Sequence, residues 1–406
     1  VHDDVPAHTP RIPVPHAIIP QRRPTTTHAA RAGVLHFLPF LPFLAVHAVA
    51  VAVGVAVAVA VAIRSPRSRP PSTDPPTDPT MQRAEYATRG PVPQDQIACV
   101  PFELAPPGEG QVLLELLAAP IHPSDVLTIT GHYGLLPPLP AVGGNEGVGR
   151  VARLGPGVTA PAVGTVVFLP LGAGTWSSHL LATAAELVPL PSDVDPVQLS
   201  MVAVNPATAL LMLTDFVDLA PGEWVIQNAA NSAVGGYLTQ LAQARGLRTV
   251  NVVRRDAALA ELEVPAGSVA LVDGPDLAAR VKEATGGARL RLAIDAVGGS
   301  ATERLAQSLA PHATVVVYGA MSGEAAKVSA ASFIFRDVTV KGFWLARWFR
   351  EAPPGRQQAV IGELVRGIAT GALKARVAAT VPLARIKEAV ALAASGSRGG
   401  KVVVVP

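Results

Sequence analysis

One cysteine, Cys99, serves a chain of 406 residues. That excludes an intramolecular disulfide and any Cys-rich zinc cluster, and it fits a reducing compartment. Charged side chains are few, at 16%, and aromatic ones fewer, at 4%. With only four tyrosines (Tyr86, Tyr133, Tyr237 and Tyr318), few phenols are open to a catalytic role. The formal net charge is +3, and all of it falls in residues 1–80, which hold seven Arg and four Asp. Residues 81–406 carry 26 basic and 26 acidic side chains. A body so balanced lacks the basic face expected of a nucleic-acid binder.

Residues 1–80 also differ in kind. They hold 14 of the 39 prolines, six of the ten histidines, and an uncharged run from Ala32 to Ile63 that ends in AVAVGVAVAVAVAI. The run exceeds the ~20 apolar residues that span a bilayer, and its arginine flanks would suit a targeting segment. A simpler reading is preferred. The first methionine is Met81 and the domain pattern starts just after it. An alternation of two small residues resembles translation of a repetitive upstream region. The segment is therefore expected to be a misassigned start or a disordered leader, with a membrane anchor the least favoured reading.

From Met81 to about residue 204 short apolar runs (Val112–Leu117, Gly147–Leu154, Thr165–Leu169) alternate with Gly/Pro turns, which predicts a β-rich domain. From Asn205 the pattern becomes strand and helix by turns. Strands are expected at Trp224–Gln227, Thr249–Val253, Val269–Val272, Leu290–Asp295, Thr314–Tyr318 and Thr339–Phe343. Helices fall between several of them, as at Asp276–Ala284 and Ala301–Leu309. The fold class is α/β, with a doubly wound parallel sheet beside the β-rich domain. Two helices (Gln357–Thr370, Leu383–Ser395) and a strand (Lys401–Val405) close the chain, a tail able to return to the first domain.

The run from Glu223 to Asp256 is the most informative stretch. In a dinucleotide-binding βαβ unit the first turn lets backbone approach a pyrophosphate, whose charge rests on a helix N-terminus. The second strand ends at the adenosine ribose, where an acidic residue would bond a 2′-hydroxyl and arginine accommodates a 2′-phosphate. Arg254 and Arg255 therefore predict NADPH, with Arg254 preferred because it directly follows the strand. The G-x-G-x-x-G pattern is missing; Asn228 to Val234 lead to Gly235 instead. Small residues still permit close approach, and Asn231 and Ser232 are candidate phosphate donors, with Ala233, Val234 and Gly235 completing the turn. The alternatives are an ordinary βα loop and two solvated arginines. Tyr318, Gly319, Ala320 and Met321 follow a later strand end, where ligands meet such sheets.

Five strings belong together: IHPSD (121–125) with the downstream Tyr133, GGNEGVG (143–149), VNPATA (204–209), VIQNAANSAVG (225–235) with NVVR (251–254), and GFWL (342–345). With the order of domains, they resemble the medium-chain dehydrogenase/reductase superfamily over residues 81–406, and within it the mitochondrial-type 2-enoyl thioester reductases. The resemblance implies a GroES-like catalytic domain at 81–204, an NADPH-binding Rossmann domain at 205–341 and a return segment at 342–406. It implies reduction of a trans-2-enoyl thioester on CoA or acyl-carrier protein, by a homodimer, in the cytoplasm or, for a eukaryotic source, the mitochondrion.

The resemblance also assigns roles. Tyr133 becomes the catalytic donor to the enolate, with His132 a weaker candidate and ring packing the alternative. Trp344 lines the nicotinamide and acyl cleft between Phe343 and Leu345, core packing being the alternative. Asn205 contacts the nicotinamide side, with capping of the helix beginning near Pro206 as a compatible alternative. Lys401 corresponds to a family lysine near the cofactor, with an exposed strand lysine as the equal alternative. Arg347 and Arg350 are candidates for the mouth of the cleft, where a phosphopantetheine arm would enter.

Zinc alcohol dehydrogenases place a cysteine near the position of Pro123 and a histidine in a GHE string that here reads Gly144-Asn145-Glu146. Cys99 with His122, His132, His179 and His312 cannot build a tetrahedral site, so no metal is expected. Two rivals remain. One is a quinone oxidoreductase of the same superfamily, also NADPH-dependent. The other is a non-catalytic nucleotide-binding or regulatory protein, against which an intact Tyr133 speaks mildly.

Overall fold

A computed structural model describes residues 81–396 and 399–406. The reading of residues 1–80 lies outside the described residues. The catalytic body opens with β1 (Gln82–Tyr86), helix α1 (Pro93–Gln96) and β2 (Ile97–Pro101), followed by the ten-residue β3 (Gln111–Pro120). Helix α2 (Pro123–Thr130), β4 (Ala141–Val142), β5 (Val148–Leu154), β6 (Val166–Phe168), β7 (His179–Thr183), β8 (Val188–Pro189) and α3 (Pro196–Leu199) complete it. β3 is the hub, antiparallel to β5 on one flank and to β7 on the other. Leu114, Leu116, Val151 and Leu169 are buried around it.

Gly144 makes a close approach possible here. Its φ is +98°, and a Cβ would fall 2.4 Å from Thr175 Oγ1 and 2.7 Å from the Trp176 backbone nitrogen. A side chain would be strained and would collide, so the turn leading to Asn145 and Glu146 needs glycine.

Helix α4 (Asn205–Thr214) then leads to a second sheet: β9 (Trp224–Gln227), helix α5 (Ala233–Ala244), β10 (Arg248–Val253), β11 (Val269–Val272), helix α6 (Leu277–Ala284), β12 (Leu290–Asp295), helix α7 (Gly299–Ser308), β13 (Thr314–Val317), helix α8 (Ala330–Ile334) and β14 (Thr339–Gly342). The six strands are parallel, in the order β11-β10-β9-β12-β13-β14. This is the doubly wound order, with its switch point between β9 and β12. Leu210, Leu238, Leu241 and Leu364 pack one face, and Leu277, Val281 and Leu305 the other. α4 is buried from Asn205 to Leu213, which accounts for its almost wholly apolar sequence.

After β14 come α9 (Leu345–Glu351), α10 (Pro354–Ala369), β15 (Val377–Pro382), α11 (Ile386–Ala394) and β16 (Lys401–Val405). β16 runs parallel to β15 and antiparallel to β3, pairing Val403 with Pro120 and Val404 with Ala119. The expected strands recur within about a residue at each end. Five helices were not anticipated, among them α1 and α3, of four residues each. α2 starts at Pro123, where the ring preorganises the first helical residue. α8 is five residues long, and α9 follows at once on GFWL. Such short segments carry too little periodicity to announce themselves.

Candidate active site

The crevice at the carboxyl end of β9 and β12 is held by one buried pair. Asn228 Nδ2 donates to Asp295 Oδ1 at 2.6 Å, and Asn228 Oδ1 accepts from the Ala296 N–H at 2.8 Å. Asp295 Oδ1 also accepts from the N–H groups of Val297 (2.8 Å) and Gly298 (3.1 Å), and its Oδ2 accepts from Thr302 Oγ1 at 2.6 Å. The two loops that face each other across the switch point are thereby locked. Neither Asn228 nor Asp295 was singled out in the sequence. Asp295 was within reach, since it ends a strand on the ligand side of the sheet, as Tyr318 nearly does.

Within the first loop Ala229 takes the left-handed conformation, at φ 48°. Ser232 caps α5, its hydroxyl accepting from the Gly235 N–H at 3.1 Å. A Cβ on Gly235 would fall 2.5 Å from the Ala230 carbonyl oxygen, so the helix can press on its own entry loop only with glycine there. Gln227 Nε2 donates to the Gly235 carbonyl (3.0 Å) and to Asn251 Oδ1 (2.8 Å), joining β9, β10 and α5. Ala233 and Val234 form the first turn of α5, whose N–H groups open to the crevice. Asn231 differs from the expectation. Its amide donates to Glu261 Oε2 at 3.2 Å, so that donor is engaged within the chain.

Arg254 is exposed directly after β10 and has no hydrogen bond or ion pair among the described residues; Arg255 is exposed beside it. Tyr318 is half-buried. Desolvation raises its phenol above the ordinary tyrosine range, against a hydrogen bond with Ser232. Gly319 lies against the Ala296 carbonyl, which a Cβ would approach to 2.7 Å, while Ala320 is exposed and Met321 is 67% exposed.

Across the crevice, the loop after α2 meets the segment after β14. Trp344 Nε1 donates to the Tyr133 hydroxyl at 3.1 Å, with the two rings edge to face and their centroids 6.5 Å apart. Phe343 stands edge-on to Phe216 at 6.1 Å, and the Arg350 guanidinium lies 5.9 Å from the Trp344 ring. A cavity of about 370 Å³ opens here, lined by Phe343, Trp344, Arg347 and Trp348 among others. Leu345, partly covered, begins α9. His132 is exposed, with Nδ1 3.2 Å from Thr130 Oγ1.

Two expectations are corrected. Asn205 caps nothing. α4 begins at Asn205 itself, Val204 occupies the N-cap position, and no side chain caps the helix locally. Asn205 is buried, and its Nδ2 has no partner in the chain. Lys401 is not an exposed strand residue. It is 3% exposed, and its ammonium donates to the Ile121 carbonyl at 2.7 Å and lies 2.9 Å from His122 Nδ1.

His122 Nε2 in turn lies 2.7 Å from Glu146 Oε1, close though off the ideal hydrogen-bond line. Burial pushes the Glu146 carboxyl above the usual carboxylate range, against the N–H groups of Ala203 and Val204 and the Lys401 charge. Asp125, whose carboxylate accepts from the His122 N–H at 2.7 Å, is raised by burial as well. Sequence reasoning passed over Glu146, His122 and Asp125 because burial is what makes them notable.

The alcohol dehydrogenase GroES-like domain matches residues 108–192, and the zinc-binding dehydrogenase family matches residues 233–359. A mitochondrial enoyl-acyl-carrier-protein reductase from Bos taurus is 40% identical over 291 residues, covering 70% of this chain and 77% of the relative. The chain belongs to the enoyl-acyl-carrier-protein reductase family. A solved structure, Etr1p in complex with NADP and crotonyl-CoA, superposes with a TM-score of 0.72 at 25% identity, over 80% of this chain and all of the other. A Bacillus thuringiensis protein assigned as an NADPH:quinone reductase superposes equally well, at 0.72 and 29% identity over 81% of this chain.

Proposed function

We propose that the chain is a zinc-independent, NADPH-dependent reductase of trans-2-enoyl thioesters carried on CoA or acyl-carrier protein, with Tyr133 stabilising or protonating the enolate. The observation that carries this is the Trp344–Tyr133 hydrogen bond at 3.1 Å. It brings two of the chain's few polar aromatics together at the ligand side of a parallel sheet. The indole N–H occupies a lone pair of the phenol oxygen and leaves the O–H to donate outward.

Two observations fit NADPH to the crevice. Asn205 Nδ2 is a buried donor with no partner in the chain, and the entry to α5 depends on a glycine whose Cβ would collide. Ser232, Ala233, Val234 and Gly235 would hold the pyrophosphate, and Tyr318 to Met321 would border it on the β13 side. Arg254 would take the 2′-phosphate, with Arg255 adding charge. Asn205, Phe343 and Leu345 would flank the nicotinamide. Once bound, the cofactor supplies hydride to the β-carbon of the conjugated thioester. Negative charge then builds on the thioester oxygen, where the Tyr133 hydroxyl donates. The α-carbon takes its proton from that hydroxyl or through water. Trp344 holds the phenol in place and walls the acyl cleft. Arg347 and Arg350, beside the cavity, would receive the phosphate-bearing arm of either carrier.

The donor set does not suit zinc. Pro123 and Asn145 cannot replace thiolate and imidazole, Asn145 Nδ2 is turned toward Ser124 Oγ at 3.5 Å, and an ammonium sits behind His122. Among the described residues no three His, Cys, Asp or Glu side chains converge as ligands, and no helix is long and apolar enough to cross a membrane. Curated relatives are mitochondrial enzymes; a mitochondrial location is proposed for a eukaryotic source and a cytoplasmic one otherwise. A homodimer is proposed as well. Its support is the open edge of β14 beside Phe333, Ile334 and Phe335, which are 45%, 72% and 80% exposed. The structural likeness to a quinone reductase keeps that second reading in play.

NADPH oxidation should be detectable with crotonyl-CoA and a longer enoyl-CoA. Turnover of a quinone with neither thioester would overturn the proposal. Tyr133→Phe should lose kcat by on the order of 10²-fold while NADPH binding persists, the size expected for one transition-state donor; a loss under about threefold would clear Tyr133 of the role. Arg254→Ala should erode the preference for NADPH over NADH by about tenfold or more, as expected for a charge-assisted contact. An unchanged ratio would refute the phosphate assignment. In light scattering the protein should run as a dimer that Ile334→Lys converts to monomer, and a monomeric wild type would dismiss the interface.

A further inference from the structure

The proposed chemistry makes no use of the buried ionisable groups behind the hinge, Glu146, His122 and Lys401. Glu146 is fully buried, and its Oε2 accepts from the N–H groups of Ala203 at 2.9 Å and Val204 at 3.0 Å, the two residues before Asn205. Its backbone carbonyl accepts from Thr175 Oγ1 at 2.8 Å. The other carboxylate oxygen faces His122 Nε2 at 2.7 Å, and Lys401 Nζ faces His122 Nδ1 at 2.9 Å. An ammonium cannot accept, so Nδ1 must, and the ring proton then sits on Nε2, toward Glu146. The Nε2–Oε1 contact is close but off the hydrogen-bond line, so the hinge is held by Oε2 on its two N–H groups.

A buried ionic network of this kind is weak evidence for stability, because desolvation offsets most of the attraction. Its geometry serves position instead. Helix α4 has no cap of its own. Glu146 Oε2 instead fixes the two N–H groups that lead into the helix. The acceptor belongs to the Gly144–Glu146 turn of the catalytic body, and the donors lead straight into Asn205, whose Nδ2 is buried and unpaired. The place of that donor is therefore set by two hydrogen bonds immediately upstream of it.

We propose that Glu146, backed by His122 and Lys401, is a positioning residue for cofactor binding, seating Asn205 through the backbone of Ala203 and Val204. The inference rests on the reading of this crevice as an NADPH site. It differs from the catalytic assignment in that Glu146 touches neither cofactor nor substrate and acts only through the hinge.

The test is a double-mutant cycle on the full chain, read as NADPH affinity by fluorescence titration without substrate. Glu146→Leu removes the acceptor of both hinge N–H groups, Glu146→Gln keeps one oxygen for them only by turning its amide N–H against the Nε2–H of His122, and Asn205→Ala removes the seated group. Each should weaken NADPH binding by about tenfold, the scale of one buried hydrogen bond. The Glu146→Leu, Asn205→Ala double variant should be no more than about threefold weaker than the worse single one, because the two act in series. Losses that multiply, or an unaltered affinity in Glu146→Leu, would overturn the proposal. The KM for an enoyl-CoA should stay within about twofold in Glu146→Leu, because residues in series act on one ligand. A parallel rise in both KM values would mean general loosening and would overturn it too. Should Glu146→Leu fail to fold, His122→Gln releases the other carboxylate oxygen and carries the same cycle. A wild type that binds NADPH but reduces no enoyl thioester would sink the proposed activity and leave the cycle readable. A wild type that does not bind NADPH would sink both.

Discussion

The pairing of β16 with β3 is what turns two separately sensible sheets into a site. The chain leaves the nucleotide sheet at β14, crosses three helices, and lays its last strand against the hub of the catalytic body. That return holds the two sheets on either side of one crevice. It carries Trp344 to the loop that bears Tyr133, and it carries Lys401 to His122. Both contacts join residues more than two hundred positions apart. Neither would exist if the tail folded on the nucleotide sheet alone.

Around that closure, the chain distributes its few polar groups economically. Some are tied to backbone, as Asp295 and Ser232 are, and others keep a donor with no partner among the described residues, as the buried Asn205 amide and the exposed Arg254 do. The first kind gives rigidity and the second gives something to bind with. A positioned donor costs no reorganisation when charge appears, which is why a preorganised phenol can serve where a zinc ion serves in related dehydrogenases. The family membership and the fold agree on an NADPH-dependent oxidoreductase.

Much of this was legible from residue order because it depends on local rules. Alternating apolar runs and helical periods marked the parallel sheet, and the VIQNAANSAVG turn with Arg254 marked the nucleotide side. Reading Tyr133 with Trp344 required the family resemblance, since their separation in sequence hides their contact. Other features were out of reach. The alternative of Asn205 as a helix cap, suggested by Pro206 after it, falls because the helix starts one residue earlier, and the turn before that helix is held by Glu146, 58 positions from Val204. For Lys401 exposure was one of two equal readings, and its partners Ile121 and His122 lie 280 and 279 positions away. Asn231 looked like a phosphate donor until Glu261 was seen beside it. Each miss concerns a polar side chain whose partner is distant in sequence, which is where local pattern carries no information.

The central claim is that hydride passes from NADPH directly to the β-carbon of an enoyl thioester while the α-carbon is protonated from the Tyr133 side. Single-turnover reduction of crotonyl-CoA with NADPH deuterated at its transferable position, followed by mass and NMR analysis of the butyryl product, tests it most directly. The account predicts one deuterium, at the β-carbon, with the α-hydrogen drawn from solvent. Deuterium at the α-carbon, or its loss to water, would contradict it.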